Sequence, residues 1–434
     1  MIRRMQGMNN LELLDEIKSG GADDKFALLY GNQEEIINKQ KSRYVHAIKK
    51  FEELFPGYNE ISIFSAPGRT EICGNHTDHQ QGCVLATAIN LDAIAVVAFH
   101  NENVIRLQSV GYDQILMDLD NLDVNSEEKG TTLSLIRGMV AQFNNRGIKV
   151  DGFNAFITSD VLSGSGLSSS AAFEVLIGNI IDRHYNDART GAVEIAKMGQ
   201  FAENKYFGKE SGLMDQMVSS VGGFVFIDFK NTENPVIEKH ECDFQNGGLQ
   251  LIITDTKGSH AELTDDYVSI PTEMKSVAAQ FGKKVLREVD EEQFYKSLGR
   301  LRFACTDRAI LRAAHYYGDN KRVGKEVEAL ETGDYAGFLQ LVRESGKSSA
   351  QLLQNLYSTK RVNEQGIPLA LMVGEKILGQ KGACRVHGGG FAGTMQAFVP
   401  DELVDSYKQA MVSLFGEGCC HVLKIRLTGG CQVF

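Results

Sequence analysis

The sequence has no cysteine pair at metal-binding spacing and no apolar run long enough to cross a membrane. Its eight cysteines are scattered, with no Cys-x-x-Cys pair and no histidine at zinc-finger spacing, which argues against zinc modules and predicts reduced thiols. The most apolar stretch, 91–99, is too short to span a bilayer and contains Asp92. Residues 1–4 lead into polar sequence and not into the apolar part of a signal peptide. We therefore expect a cytoplasmic protein without a membrane partner.

Basic charge is also scarce, because 45 Lys and Arg face 56 Asp and Glu, a formal net charge of −11. Proteins that bind nucleic acid non-specifically neutralise its phosphates with surplus cations, so this balance argues against a nucleic-acid partner. The 434 residues exceed what one ordinary core organises. We expect roughly two or three domains with a cleft between them.

Two common nucleotide-binding motifs are missing. A Walker motif needs a lysine after its last glycine, but Gly166 is followed by leucine, and Gly324-Lys325 is followed by glutamate instead of Ser or Thr. Residues 388–393 match G-x-G-x-x-G, yet they precede a predicted strand at 394–399, where a dinucleotide-binding fold requires a helix. The sequence therefore argues against both a P-loop and a Rossmann turn.

A loop of small residues, 161–174, is the main motif that is present. Its glycines let the backbone approach a ligand closely, while its serines add hydroxyl groups and are expected to cap a helix that begins near Ser169. The amides and the dipole of a helix N-terminus attract an anion, and a phosphate fits best. The alternative is a Gly/Ser linker that only caps the helix.

Two further segments carry polar groups in unusual settings. After a predicted strand at 61–66, residues 67–79 combine a cation, an amide, imidazoles and carboxylates between glycine turns, which suits a polyhydroxy ligand. Asp215 lies among apolar neighbours at the start of a predicted helix, where a carboxylate can accept a proton or orient a hydroxyl. The alternatives are a solvated turn and an ordinary helix N-terminal charge.

Periodicity predicts the order of the remaining elements. Residues 1–40 are interpreted as an N-terminal extension that packs on the body, 41–235 as a first domain and 236–434 as a second. Strands are predicted at 84–88 and 93–99, either side of a short break. In the second domain we expect helices at 288–298, 303–315, 321–332 and 335–356 before the chain returns to sheet.

Three of these segments together resemble the galactokinase branch of the GHMP small-molecule kinases. Residues 67–78 resemble the galactokinase signature, 162–172 the ATP-phosphate loop of the superfamily, and 385–393 its third, glycine-rich motif. The resemblance runs from about Tyr44 to the C-terminus. It implies a two-domain α+β fold with the active site in the interdomain cleft. It also implies ATP-dependent phosphorylation of galactose, or a close derivative, at the anomeric hydroxyl.

The resemblance also assigns residues to roles. It implies that Asp215 is the catalytic carboxylate and that Arg69 lies beside the reacting hydroxyl. The implied sugar-binding residues are Asn75, His76, Asp78, Gly212 and Tyr267. The implied ATP-binding residues are Gly164, Ser165, Gly166, Leu167, Ser168, Ser169 and Ser170, with Gly388, Gly389 and Gly390 in the third motif. Mg²⁺ is expected near Ser170 and Glu174, and the protein is expected to be a monomer or a weak homo-oligomer.

Five residues depart from the galactokinase pattern. Asn75 replaces a glutamate expected to bind the C6 hydroxyl, Glu71 replaces an asparagine, His79 replaces a tyrosine, and Ser269-Ile270 stands where an arginine pair follows the conserved tyrosine of the family. Losing the carboxylate at 75 would remove repulsion against a C6 carboxylate, so galacturonate is an alternative substrate.

Two other functions stay open as alternatives. A non-catalytic galactose and ATP sensor is disfavoured because the phosphate loop, Arg69 and Asp215 are all intact. A kinase of mevalonate or homoserine would share the phosphate loop but would lack the sugar signature.

Overall fold

The computed structural model describes residues 8–161, 166–242, 244–258 and 263–434. In these residues the larger sheet has nine strands, ordered β1-β2-β3-β6-β4-β5, with β13 beside β2 and β7 joining β3 to β8. Only the β4–β6 pair of this sheet is parallel among the described strands. Its strands are β1 (Met8–Asn9), β2 (Glu60–Cys73), β3 (Cys83–Phe99), β4 (Val104–Ser109), β5 (Ile115–Asp118), β6 (Phe153–Ser159), β7 (Phe224–Asp228), β8 (Val236–His240) and β13 (Cys431–Gln432).

The smaller sheet is antiparallel, with the strand order β10-β11-β9-β12. Its strands are β9 (Leu249–Asp255), β10 (Ala383–Val386), β11 (Thr394–Pro400) and β12 (Cys420–Leu423). The third glycine-rich motif joins β10 to β11, so the predicted strand after it is confirmed. His387, which follows β10, and Gln396 of β11 both hydrogen-bond to the Thr70 hydroxyl of β2, so this end of the smaller sheet faces β2.

Helices cover both sheets. They are α1 (Asn10–Ser19), α2 (Asp23–Tyr30), α3 (Glu34–Leu54), α4 (Thr132–Asn144), α5 (Ser169–Tyr185), α6 (Ala192–Phe201), α7 (Met214–Val221), α8 (Thr264–Ala279), α9 (Glu291–Lys296), α10 (Leu298–Ala304), α11 (Asp307–Thr332), α12 (Tyr335–Ser348), α13 (Gly366–Leu378) and α14 (Val404–Phe415). Within the described ranges, no helix combines the length and apolar character needed to cross a membrane. The predicted start of α5 near Ser169 is confirmed.

The strand β2 is longer than predicted. Its 14 residues extend through the glycine-containing segment to Cys73, where the sequence suggested a loop after residue 66. Register shifts between Pro67 and Arg69, and between Glu71 and Cys73, absorb the irregular residues without ending the pairing with β3. The strand β3 likewise joins the two predicted strands into one of 17 residues. Long, bulged strands therefore carry the polar segment into the interior.

The N-terminal helices pack against the larger sheet. Leu13, Phe26 and Tyr44 are fully buried in a cluster that also contains strand residues of β2, β3 and β6. The predicted end of the extension at residue 40 falls inside α3, whose buried face continues from Gln40 to Phe51. The larger sheet also extends beyond residue 235 through β8. The division at residues 40 and 235 stays a prediction.

The helix α11 replaces two predicted helices. The sequence indicated a break between 315 and 321, but α11 runs without interruption for 26 residues. The prediction was wrong because the polar residues between the expected helices include part of the buried face, where His315, Asp319, Val323 and Glu326 follow at helical spacing. A buried polar face cannot be distinguished from a solvated turn by periodicity alone.

Glu326 gives α11 a pH-dependent contribution to stability. Burial raises its pKa to about 8, although the nearby Arg385 opposes the rise. The unfolded chain has a glutamate pKa near about 4.3, so Glu326 ionises first in the unfolded state as the pH rises. The stability that the neutral Glu326 side chain contributes below about pH 4.3 is therefore lost progressively as the pH rises to about 8. Above that pH the loss levels off.

We expect Glu326→Gln to stabilise the protein increasingly from about pH 5 to about pH 9, by up to a few kcal/mol, because the amide does not ionise. Urea unfolding of both proteins across this range measures the difference. The exposed neighbour Glu328 supplies the matched control, Glu328→Gln, whose effect should stay small at every pH. An advantage of equal size at both ends of the range would contradict the prediction.

Candidate active site

Arg69 and Asp215 form a two-pronged ion pair between β2 and α7. The Arg69 Nε donates to Asp215 Oδ1 over 2.7 Å, and Nη2 lies 2.5 Å from Oδ2. Ser219 on α7 donates to the Pro67 carbonyl over 2.6 Å, which fixes the helix against the strand. The Asp215 side chain keeps 32% of its surface exposed. The structure therefore brings the two predicted catalytic residues together and leaves the carboxylate accessible.

The phosphate-loop segment meets the same carboxylate. The Ser168 Oγ donates to Asp215 Oδ2 over 2.6 Å, and Arg69 donates to the Gly166 carbonyl. The serines of the loop are expected to cap α5, but Ser168, at the N-cap position, makes no side-chain capping bond, and its backbone is left-handed with φ 60°. Its hydroxyl is committed to Asp215, so the first amides of α5 keep their capacity to bind an anion. The predicted Gly164 and Ser165 lie outside the described residues.

These contacts determine the charge of Asp215. Burial alone would raise its pKa, but the charge of Arg69 and the hydrogen bonds from Arg69 and Ser168 outweigh it and lower the pKa below its ordinary value. Asp215 is therefore ionised at neutral pH. An ionised carboxylate can accept a hydrogen bond, and then a proton, from a substrate hydroxyl.

A second polar cluster lies at the start of α5. Glu203 Oε1 accepts hydrogen bonds from Lys209 over 2.8 Å and from Ser170 over 3.4 Å. The Gln216 Nε2 donates to both Glu174 Oε2 and Glu203 Oε2, each over 2.9 Å. Glu174 is fully buried, and burial, followed by repulsion from Glu203, raises its pKa well above the ordinary range. Ser170 therefore faces Glu203 more directly than the predicted Glu174.

Sequence reasoning missed Glu203. It lies in a π-helical turn, residues 202–207, which directly continues α6. The extra residue per turn breaks the spacing on which a helical pattern depends. No local signal in the sequence therefore pairs this carboxylate with Ser170.

The sugar-signature turn is held by α11. Gly74 and His76 both have positive φ, 97° and 61°, and a Cβ on Gly74 would lie 2.6 Å from the Cys83 carbonyl oxygen. Asp319 accepts a 3.0 Å hydrogen bond from the Asn75 amide, while His315 Nε2 donates to the Asn75 carbonyl over 3.0 Å. Two side chains one helical turn apart thus bind both backbone groups of one turn residue. They are positioning residues that the sequence did not reveal.

The third glycine motif accepts one bond from each of three predicted sugar-binding residues. Asn75 Nδ2 donates to the Gly388 carbonyl over 2.7 Å, and His76 Nε2 donates to the Gly389 carbonyl over 3.1 Å. The Tyr267 hydroxyl donates to the Gly390 carbonyl over 3.0 Å. Burial is the main cause that lowers the pKa of His76 to about 4, so this imidazole is neutral at physiological pH.

Asp78 and Gly212 also lie side by side. A Cβ on Gly212 would lie 3.0 Å from Asp78 Oδ2, so a larger residue would crowd the carboxylate. Gly212 directly precedes α7, which carries Asp215. Predicted sugar-binding and catalytic residues therefore converge, and their individual roles stay predictions.

Comparison with known proteins identifies the family. The galactokinase galactose-binding signature matches residues 49–99, and the N-terminal domain of GHMP kinases matches residues 134–223. The galactokinase of Actinobacillus pleuropneumoniae serotype 5b (strain L20) is 32% identical over 369 residues, which cover 84% of this chain and 91% of that protein. The chain belongs to the galactokinase family. As a member, it is a sugar kinase of the GHMP superfamily.

Solved structures of galactokinase-family and related proteins have the same fold. The crystal structure of Lactococcus lactis galactokinase complexed with galactose superposes with a TM-score of 0.76 at 22% identity, covering 88% of this chain and 98% of that one. The Methanococcus jannaschii mevalonate kinase gives a TM-score of 0.60 at 15% identity, covering 85% and 99%. The expected α+β fold of the GHMP kinases is confirmed.

Proposed function

We propose that this galactokinase-family protein transfers the γ-phosphoryl group of ATP to the anomeric hydroxyl of galactose. The observation that carries the proposal is the accessible Asp215 carboxylate, held by Arg69 and Ser168 beside the N-terminus of α5. A proton acceptor, a cation and an anion-binding helix end are the groups that phosphoryl transfer to a hydroxyl requires.

In this proposal Asp215 orients the anomeric hydroxyl and accepts its proton as the O–P bond forms. Arg69 stabilises the negative charge that develops on the transferred group, and its two-pronged bond keeps the carboxylate in place. The neighbouring carboxylate of Asp78 accepts hydrogen bonds from adjacent ring hydroxyls. A sugar lacking one of these hydroxyls would leave a polar group unpaired, which is a strong basis for discrimination.

The phosphates of ATP fit the start of α5. Because the Ser168 hydroxyl is used by Asp215, the amides of the first helical turn are not satisfied by a side-chain cap. Their positive dipole end lies next to Arg69, so both attract the same phosphate groups. The third glycine motif accepts hydrogen bonds from the sugar-signature turn and therefore lies beside the proposed sugar site.

A magnesium ion fits at Ser170 and Glu203. Mg²⁺ is commonly bound by one or two carboxylates together with substrate phosphates, and Glu203 already lies 3.4 Å from the Ser170 hydroxyl. Glu174 suits this role less well, since its raised pKa favours the neutral form. When bound, the ion would neutralise phosphate charge during transfer.

We propose that the substrate is galactose and not galacturonate, because the nearby Glu71 supplies the carboxylate that position 75 lacks. Asn75 Nδ2 lies 3.1 Å from Glu71 Oε1, so this end of the site keeps a carboxylate. A C6 carboxylate on the sugar would meet like charge there. No observation favours a mevalonate or homoserine substrate.

A sugar panel with ATP tests the proposed function. Galactose, galacturonate, glucose and mevalonate are each incubated with enzyme and ATP, and ADP release is followed together with the phosphorus NMR signal of the product. We expect galactose 1-phosphate as the main product. A higher kcat/KM for galacturonate, or galactose binding without any turnover, would overturn the proposal in favour of the corresponding alternative.

A further inference from the structure

Glu71 shares a face of β2 with Arg69. The register of this part of β2 is regular, with Arg69 opposite Ala88 and Glu71 opposite Ala86. Side chains two residues apart on a strand point to the same side of the sheet, so Glu71 follows Arg69 toward the site. Burial raises the pKa of Glu71 to about 6, although Arg385 opposes the rise, and the charges of Asp78 and Arg69 also act on it, so the carboxyl is mainly ionised at neutral pH. Glu71 therefore belongs to the same polar surface as the predicted catalytic and sugar-binding residues.

Asn75 has little hydrogen-bonding capacity left for a ligand. Both hydrogens of its Nδ2 are used, one by Glu71 over 3.1 Å and one by the Gly388 carbonyl over 2.7 Å. Its Oδ1 accepts a 2.8 Å hydrogen bond from Asn355 Nδ2. Only 1% of the residue is exposed. A side-chain amide with these three partners acts as an interior connector between β2, the third glycine motif and the segment after α12.

Glu71 has an unused hydrogen-bond acceptor, which Asn75 lacks. Its Oε1 accepts from Asn75 and lies 3.3 Å from Arg385 Nη2. In the part of the chain that the structure describes, its second oxygen, Oε2, makes no hydrogen bond and keeps some solvent-accessible surface. The residue is 8% exposed. The unpaired acceptor of this pair is therefore Oε2 of Glu71, which is largely buried.

We propose that Glu71, and not Asn75, is the specificity-determining residue for the C6 end of the sugar, while Asn75 is a positioning residue that holds the Glu71 carboxylate. This inference rests on the proposed galactose kinase activity. Glu71 Oε2 accepts a hydrogen bond from the C6 hydroxyl, and its charge repels a C6 carboxylate. Asn75 and Arg385 fix Oε1 from the opposite side.

The pair is an exchange within the galactokinase signature. Where galactokinases are expected to have asparagine and glutamate, this chain has Glu71 and Asn75. The exchange conserves one carboxylate and one amide, and the 3.1 Å hydrogen bond joins them. Changing Asn75 alone to glutamate would place a second carboxylate beside Glu71, and the repulsion between the two like charges disfavours that arrangement. The two positions therefore act as one unit.

Substrate ratios test this inference. For the full-length enzyme with saturating ATP, kcat/KM is measured with galactose, 6-deoxygalactose and galacturonate. We expect the wild type to prefer galactose over each of the others by about tenfold or more, the scale of one well-placed polar contact. In Glu71→Gln we expect the preference over galacturonate to fall at least about tenfold, because the repelling charge is gone. The preference over 6-deoxygalactose should narrow by about fivefold, since a neutral acceptor binds a hydroxyl more weakly.

Asn75→Ser is the matched variant. It retains Glu71, so activity with galactose should fall while the rejection of galacturonate persists. If Asn75→Ser abolishes that rejection and Glu71→Gln leaves it unchanged, the inference is wrong. The exchange variant Glu71→Asn/Asn75→Glu should recover discrimination that Glu71→Asn alone loses. Failure of this recovery would also count against the pair.

Two further measurements distinguish failure of this inference from misfolding of a variant and from failure of the proposed function. Thermal melting of each variant shows whether it folds, and a wild type that uses all three sugars equally overturns the inference without any variant. If the wild type turns over no galactose, the proposed function fails, whereas calorimetric binding of galactose and galacturonate still measures the discrimination. Equal affinities in that experiment would overturn the role of Glu71 independently.

Discussion

Asp215→Asn is expected to reduce kcat for galactose phosphorylation by about 10²–10⁴-fold, the range that a positioned acid or base contributes. The amide fills the same volume but cannot accept the proton of the anomeric hydroxyl. It also leaves Arg69 without the negative partner that now holds it by two bonds. The KM for ATP should change little, because the amides of α5 are unaltered.

A coupled assay of ADP release, with protein concentration matched by absorbance, measures this loss. Asp265→Asn is the control, because Asp265 is exposed and pairs only with Lys360 among the described residues. Such exposed pairs contribute little, so this variant should retain full activity. An Asp215→Asn enzyme that keeps more than about a tenth of the wild-type kcat would show that the carboxylate is not the proton acceptor.

The sequence could indicate the main parts of this site because each carries a local pattern. Small residues before α5 and glycines between β10 and β11 mark places where the backbone must turn or approach closely. Asp215 stands out as a carboxylate among apolar residues. These signals depend on neighbours in the chain, so one sequence is enough to find them.

The contacts that complete the site depend on residues far apart in the chain. Glu71 and Asn75 each depart from the family pattern, but their mutual hydrogen bond depends on the fold of β2 and of the turn that follows it. His315 and Asp319 are 240 and 244 residues from Asn75, and the sequence suggested that a helix ends at His315 and that Asp319 lies in a break. Buried polar partners of this kind have no period, because each satisfies one specific group.

Asp92 is the clearest example of a residue whose structural role cannot be read from its neighbours in the sequence. In the sequence it interrupts the most apolar run, yet in β3 it is fully buried. It accepts hydrogen bonds from Arg43 over 2.6 Å, Tyr30 over 2.6 Å and Arg426 over 2.9 Å, and also from Ser65. Burial alone would raise its pKa, but the two arginines and the hydroxyl donors lower it. The carboxylate is therefore charged inside the protein.

The hydrogen-bonded cluster around Asp92 connects segments near both ends of the chain to the larger sheet. Arg43 lies on α3, Tyr30 ends α2, and Arg426 lies in the segment between β12 and β13. Arg426 is fully buried and also donates to the Thr428 carbonyl over 2.7 Å. Asp92 thus pairs with guanidinium groups from opposite ends of the sequence, the fully buried Arg426 and the half-buried Arg43, and Arg43 also lies 3.4 Å from Asp160.

We expect Asp92→Ala to lower the free energy of unfolding by about 3–5 kcal/mol, because breaking a buried ion pair leaves uncompensated charge in the interior. Here the fully buried Arg426 loses its carboxylate partner, and Arg43 keeps only the Asp160 carboxylate at 3.4 Å. Urea unfolding followed by circular dichroism measures the change. Asp113→Ala, at an exposed loop position, should stay within about 0.5 kcal/mol of the wild type.

The position of the cluster also predicts which region loosens first. With Asp92 removed, α2, α3 and the segment around Arg426 lose their shared partner, whereas the Arg69–Asp215 pair keeps its own contacts. Hydrogen exchange of Asp92→Ala should therefore accelerate in residues 23–54 and 424–434 before it does in α7. If the exchange rate instead rises equally in these segments and in α7, and the free energy of unfolding falls by less than about 1 kcal/mol, then solvent or a rearrangement compensates the charges of Arg43 and Arg426.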